Sequence, residues 1–136
     1  MNKNFFKGAN ESIFGYADYF AERAYRQKQF SRIARNCMRA LLQLSHPMSA
    51  DKYKLLEIGC GPGFFLEEAE RKGFEAHGIE FNANIVSLAH NRIADRIHVA
   101  DFENINEGLL GKFNCIVMLD VIEHFREPVK VIQKVQ

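Results

Sequence analysis

Residues 53–64, YKLLEIGCGPGF, decide the fold. A strand-sized apolar run, Tyr53 to Ile58, passes into a loop with glycines at 59, 61 and 63. Phe64 then opens a helical segment that runs to Lys72 and is closed by Gly73. Glycine is needed where the backbone takes positive φ, or where a side chain would hold a ligand away from the main chain. Strand, glycine loop and helix in this order form the first unit of a doubly wound sheet, whose ligands bind at the carboxyl ends of the strands. The fingerprint for a pyrophosphate, Gly-x-Gly-x-x-Gly, requires a glycine at position 64, where Phe64 stands. Glu57 precedes the loop, and an acid there is awkward beside a pyrophosphate but useful beside a cation. The loop therefore reads as the cradle of a cationic ligand. The plainer alternative is a tight turn that binds nothing.

Working outward, the alternation continues downstream. Phe74 to Ile79 reads as a second strand, and Asn82 caps a helix from Ala83 to about Arg92 that turns Ile85, Val86, Leu88 and Ala89 inward. Arg96 to Ala100 is a third, weaker strand. Asn104 to Leu110 is a turn or short helix, Phe113 to Leu119 a strongly apolar fourth strand, and Glu127 begins another helix. Strands alternating with helices imply parallel β-α-β units, so the expected fold class is α/β, a Rossmann-like doubly wound parallel sheet with N-terminal helices. Upstream, Phe30, Ile33, Ala34, Cys37, Met38, Leu41 and Leu42 recur at helical spacing as one buried stripe, which His46-Pro47 ends. Lys28, Arg32, Arg35 and Arg39 make a basic stripe on the same helix. A solvated face explains it, with an acidic substrate or RNA phosphate as the sharper alternative. Residues 1–50 are expected to form a cap or lid, and residues 51–136 the ligand-binding domain.

Two acids fall at strand ends. Glu80 lies about 20 residues beyond the first glycine, where a carboxylate accepts from ribose hydroxyls, and Phe81 beside it suits an adenine face. Asp101, before Phe102, has two readings: an acceptor for the adenine amino group, or the cap of a short turn.

Taken together, LLEIGCGPGFFLEEAERKGFEAHGIEFN resembles the first two motifs of class I S-adenosylmethionine-dependent methyltransferases, and FNCIVMLDVIEHFREP resembles their fourth-strand motif. The resemblance covers roughly residues 53–136 and extends to the bacterial small-molecule group that includes the ubiquinone-biosynthesis O-methyltransferases. S-adenosylmethionine presents an ammonium and a sulfonium and no phosphate, as the loop chemistry asks. The resemblance implies that Gly59, Cys60 and Gly61, in the loop closed by Gly63, approach the methionine part of the cofactor, with Glu57 near its amino group. Glu80 and Phe81 would hold the ribose and adenine side, Asp101 and Phe102 the adenine, and Leu119 and Asp120 the methionine end. It also suggests Tyr16, Tyr19 and Arg23 for a lid. The acceptor would be a small molecule. A family member has seven strands, and only about four are found here, so a truncated chain, or one completed by a partner or second copy over the fourth-strand edge, is expected.

Asp120, Glu123 and His124 have helix-compatible spacing, so that one turn could aim all three at the site. Three readings stand: His124 as general base for the acceptor, with its intrinsic pKa near neutrality; structural or capping residues; or ligands of a divalent metal. A non-catalytic, cofactor-binding or protein-binding fragment is the alternative to an enzyme. Bulk properties exclude little else. A net charge of +1 gives no general pull towards nucleic acid or an anionic membrane. No apolar run is long enough to span a bilayer. Three cysteines without a Cys-x-x-Cys pair, and an amino terminus without a signal core, suggest the cytoplasm.

Overall fold

The computed structural model describes residues 15–44, 52–106, 108 and 111–135, with side chains in the first helix described at Ala21 and from Ala24 onward. Helix α1 (Gly15–Leu44) precedes β1 (Lys54–Ile58), α2 (Phe64–Arg71), β2 (Glu75–Glu80), two single turns α3 (Ala83–Val86) and α4 (Asn91–Ala94), β3 (Ile97–Val99), β4 (Cys115–Met118), a 3₁₀ turn (Ile122–His124) and α5 (Pro128–Lys134). The expected helix end at His46-Pro47 and the side chains of Tyr16, Tyr19 and Arg23 lie outside the described residues.

The strands pair in the order β3-β2-β1-β4, all parallel, so chain direction across the sheet reverses between β1 and β4. Side chains alternate along each strand and fill two cores, one on each face. Leu55, Ala76 and Val117 pack with Phe65, Leu66, Ile93 and, from α1, Phe30 and Ala34. Leu56, Ile58 and Ile79 pack on the other face with Phe102 and Val131 of α5. Each fully buried aliphatic contributes roughly 1.5–3 kcal/mol, and β1, covered on both faces, buries Leu55, Leu56 and Ile58 together with the acid Glu57. The α/β, Rossmann-like expectation holds, and β4 forms one edge among the described strands.

Two details differ from the sequence reading. The helix expected over 83–92 is broken: Ser87 Oγ donates to the Asn84 carbonyl at 2.7 Å, and the amides of Leu88 and Ala89 reach back only three residues. His90 then turns extended and its ring accepts from the Arg92 amide, starting a second turn. The break lets Ile93 reach the core with no exposed surface, a tertiary demand that spacing alone does not reveal. Leu42 falls off the buried stripe and is 53% exposed. Lys28, Arg32, Arg35 and Arg39 are all exposed, as a solvated face requires.

Candidate functional site

The loop after β1 is shaped by three residues at positive φ, Gly59 (75°), Gly61 (55°) and Gly63 (80°), each for a different reason. A Cβ on Gly59 would sit 2.5 Å from Val121 Cγ2, so glycine lets the chain after β4 pack against the loop. A Cβ on Gly63 would strike Ile93 Cδ1 at 2.5 Å, so this glycine admits the core under the start of α2. A Cβ on Gly61 would meet nothing closer than Ile85 at 4.0 Å, and there the open space is the site itself. The loop amides are already committed. Gly59 and Cys60 both donate to the Ile79 carbonyl, Gly63 donates to the Cys60 carbonyl, and Gly61 donates to Glu80 Oε2 at 3.0 Å. Pro62 has no N–H, so the loop offers no donor to a pyrophosphate.

A cavity of about 270 Å³ opens at the carboxyl ends of β1, β2 and β4, at the point of strand reversal. Glu57, Gly59, Cys60, Gly61, Glu80, Phe81, Phe102, Leu119, Asp120 and His124 line it. Gly63 and Asp101 do not appear on its wall. Asp101 Oδ1 accepts from the Glu103 amide and Oδ2 from the Asn104 side chain, which is the geometry of the capping alternative.

Glu57 is the unusual group. It is 4% exposed, its Oε2 has no hydrogen-bond partner, and burial, reinforced by the nearby Glu80 charge and partly offset by Arg26, holds its pKa well above the usual carboxylate range. A buried acceptor left unmet costs about 1–3 kcal/mol and calls for a partner. Glu80, 7% exposed, is by contrast satisfied: Oε1 accepts from the Asn82 amide and Oε2 from the Gly61 amide. Those two bonds fix the carboxylate at the wall and leave its remaining lone pairs for a ligand. Cys60 contributes backbone to the wall while its buried thiol lies under Gly78, where a Cβ would come within 2.4 Å of Sγ. Burial, with Glu57 and Glu80 beside it, pushes that thiol far above the ordinary cysteine range.

The Asp120, Glu123 and His124 set is only partly brought together. Asp120 takes a left-handed φ of 52° ahead of the turn, and the 3₁₀ geometry that follows turns Glu123 out to solvent while His124 faces the cavity. The helical spacing fails because Val121 must bury against Gly59. Among the described residues no three His, Cys, Asp or Glu side chains are grouped to hold a metal ion.

Sequence reasoning missed two residues of α1 that reach the site. Arg26 and Phe30, four apart on one helix face, line the cavity. Arg26 pairs with Asp120 across the mouth and lies 5.1 Å over the Phe30 ring. The signal available was electrostatic: two buried acids, Glu57 and Glu80, need a nearby cation. Val121 and Gly78 were missed because their roles exist only in contact with Gly59 and Cys60.

Fold and site together define a Rossmann-like α/β domain with a ligand cavity at its topological switch point. Residues 25–136 match the family model described as Methyltransferase domain, and the chain belongs to that family. It is 24% identical over 113 residues to the magnesium-protoporphyrin O-methyltransferase of Rhodobacter capsulatus, across 79% of this chain and 49% of that protein. It is 29% identical over 93 residues to the ubiquinone biosynthesis O-methyltransferase of Nitrosococcus oceani, across 65% of this chain and 39% of that protein. CalS10, an amino pentose methyltransferase from Micromonospora echinaspora solved with S-adenosylmethionine bound, has a TM-score of 0.66 at 21% identity over 92% of this chain and 52% of that one. The plantazolicin methyltransferase BpumL, solved with S-adenosylhomocysteine, gives 0.63 at 17% identity over 92% and 49%. These likenesses establish the fold. The chain thus spans about half, or less, of the length of these curated relatives. No described helix is long and apolar enough to cross a membrane.

Proposed function

We propose that the cavity binds S-adenosylmethionine and that the chain contributes the cofactor-binding part of a methyltransferase acting on a small-molecule acceptor. The unpartnered oxygen of buried Glu57 carries this reading. A cationic amino group meets that oxygen's need, and a loop whose amides are all committed has no use for a phosphate. In this reading Glu57 takes the cofactor's ammonium and Arg26, at the mouth, its carboxylate. The main chain of Gly59, Cys60 and Gly61 lies along the methionine part, with Leu119 and Asp120 closing that end. Glu80 accepts from the ribose hydroxyls, Phe81 and Phe102 flank the adenine, and Asp101 holds the turn that presents Phe102. Residues 1–50 serve as the cap, and the protein works in the cytoplasm.

The cofactor, when bound, supplies an electrophilic methyl group, so positioning does much of the work. His124, at the cavity wall beyond the 3₁₀ turn, takes the proton from an acceptor hydroxyl. Calorimetric titration with S-adenosylmethionine and S-adenosylhomocysteine tests the reading. Wild type is expected to bind both, and Glu80→Ala to bind more weakly. No heat from wild type at millimolar ligand overturns it. A second reading is cofactor binding without turnover. Methylation assays on a panel of phenolic acceptors separate the two.

A further inference from the structure

We infer that Asp120 is an internal stand-in for the cofactor's carboxylate: it holds Arg26 in the ligand-free chain and yields it only to a ligand with a carboxylate of its own. Resting on the cofactor reading above, this makes the pair a selectivity device that favours ligands with an amino-acid end over bare nucleosides. Arg26 and Asp120 both line the cavity and pair across its mouth. The Asp120 carboxylate has no other hydrogen-bond partner among the described residues. Arg26 also acts inward, since its charge offsets that of buried Glu57. The guanidinium thus stands between two acids, one on the cavity wall and one at the rim.

Of the two partners, Asp120 is the one able to leave. The Arg26 side chain is only 22% exposed and lies over the ring of buried Phe30, 5.1 Å from its centroid. Ring and helix together hold the guanidinium at the wall. The Asp120 side chain is 67% exposed, so its carboxylate turns to water with little change in solvation. Its backbone, by contrast, is fixed. Val121 packs on Gly59, and Asp120 just ahead of it takes a φ of 52°, which Asp and Asn tolerate better than most side chains do. The main chain therefore keeps the carboxylate at the mouth and leaves the side chain to rotate.

The exchange conserves charge. A ligand carboxylate replaces that of Asp120 on Arg26 one for one, so the guanidinium is never left without a partner. Asp120 returns to solvent at the rim. A ligand with adenine and ribose but no carboxylate has nothing to offer Arg26, and the pair stays closed across the mouth. Because the pair is exposed, the preference it imposes is modest and falls with salt. Removing the Asp120 charge should therefore tighten binding of a carboxylate-bearing ligand, the opposite of what an ordinary contact residue shows.

Asp120→Asn is the test, because asparagine keeps the shape and the tolerance of positive φ and loses the charge. The full chain is titrated calorimetrically with S-adenosylhomocysteine and with methylthioadenosine, which lacks the amino-acid end. Both are uncharged at sulfur, so attraction between Asp120 and a sulfonium does not enter. Asp120→Asn is expected to bind S-adenosylhomocysteine roughly two- to fivefold more tightly than wild type, and methylthioadenosine no more tightly. Asp120→Gly, equally at ease with positive φ, should give the same gain. The gain should shrink in high salt and vanish in an Arg26→Ala background, where Asp120 has no cation to withhold. Equal or weaker binding of S-adenosylhomocysteine by both Asp120 variants overturns the inference and leaves the cofactor reading standing, since wild type still binds. So does an equal gain for methylthioadenosine, or a gain that survives Arg26→Ala. Failure of wild type to bind S-adenosylhomocysteine at all overturns both.

Discussion

Replacing Glu57 with glutamine separates the two sides of the proposed function, because stability and binding should move in opposite directions. The carboxylate is 4% exposed with one oxygen unpartnered. Glutamine keeps the shape and removes the charge. Removing a buried, poorly compensated charge is worth on the order of 1–2 kcal/mol, so the ligand-free protein should melt roughly 4–8 °C higher at neutral pH. The pH dependence fixes the sign. Glu57 has a folded-state pKa above its unfolded value, so its contribution is fully present below the unfolded pKa and is lost as pH rises through the folded one. Wild type should therefore lose stability over that interval, and Glu57→Gln should lose less. Binding should change the other way. Loss of a charge-assisted contact to the cofactor's ammonium costs about 1.5–3 kcal/mol, or roughly 10- to 150-fold in Kd. Differential scanning fluorimetry against pH, paired with calorimetry using S-adenosylhomocysteine, reads both. A variant that melts lower while binding unchanged would refute the reasoning, since Glu57 would then be an ordinary structural acid.

Three further substitutions follow from the packing. Gly59→Ala combines a left-handed φ with a Cβ 2.5 Å from Val121 and should cost about 2–5 kcal/mol by urea unfolding. Gly61→Ala, with open space around its Cβ, should cost only about 1–2 kcal/mol yet weaken cofactor binding, as calorimetry would register. Gly78→Ala meets Cys60 Sγ at 2.4 Å and should destabilise by about 1–3 kcal/mol; adding Cys60→Ala should recover part of that loss in a double-mutant cycle, and full additivity would count against the contact. Arg26→Ala should lower the melting temperature modestly: the pair with exposed Asp120 contributes little, but Arg26 also offsets the buried Glu57 charge. It should still weaken cofactor binding by about tenfold or more, by calorimetry.

What the sequence determined by itself was whatever is written locally. The apolar run 53–58 followed by three alternate glycines specifies strand, turn and helix whatever surrounds them, because backbone sterics and side-chain period act over a few residues. From this came the parallel α/β sheet, the loop, and the strand-end positions of Glu57, Glu80 and Asp120 on the cavity wall. The charge of Glu57 and the absence of glycine at Phe64 also pointed to a cation without any coordinates. Tertiary structure decided whatever depends on residues distant in the chain. It broke the helix at Ser87 to bury Ile93, turned Glu123 away so that Val121 could meet Gly59, and set Arg26 of α1 across from Asp120. It also gave the three glycines their separate reasons, since φ is a local property but the atom that a Cβ would strike belongs to another strand or helix. A buried acid can be read from one stretch of chain, but whether it has a partner is settled only when every other stretch has taken its place.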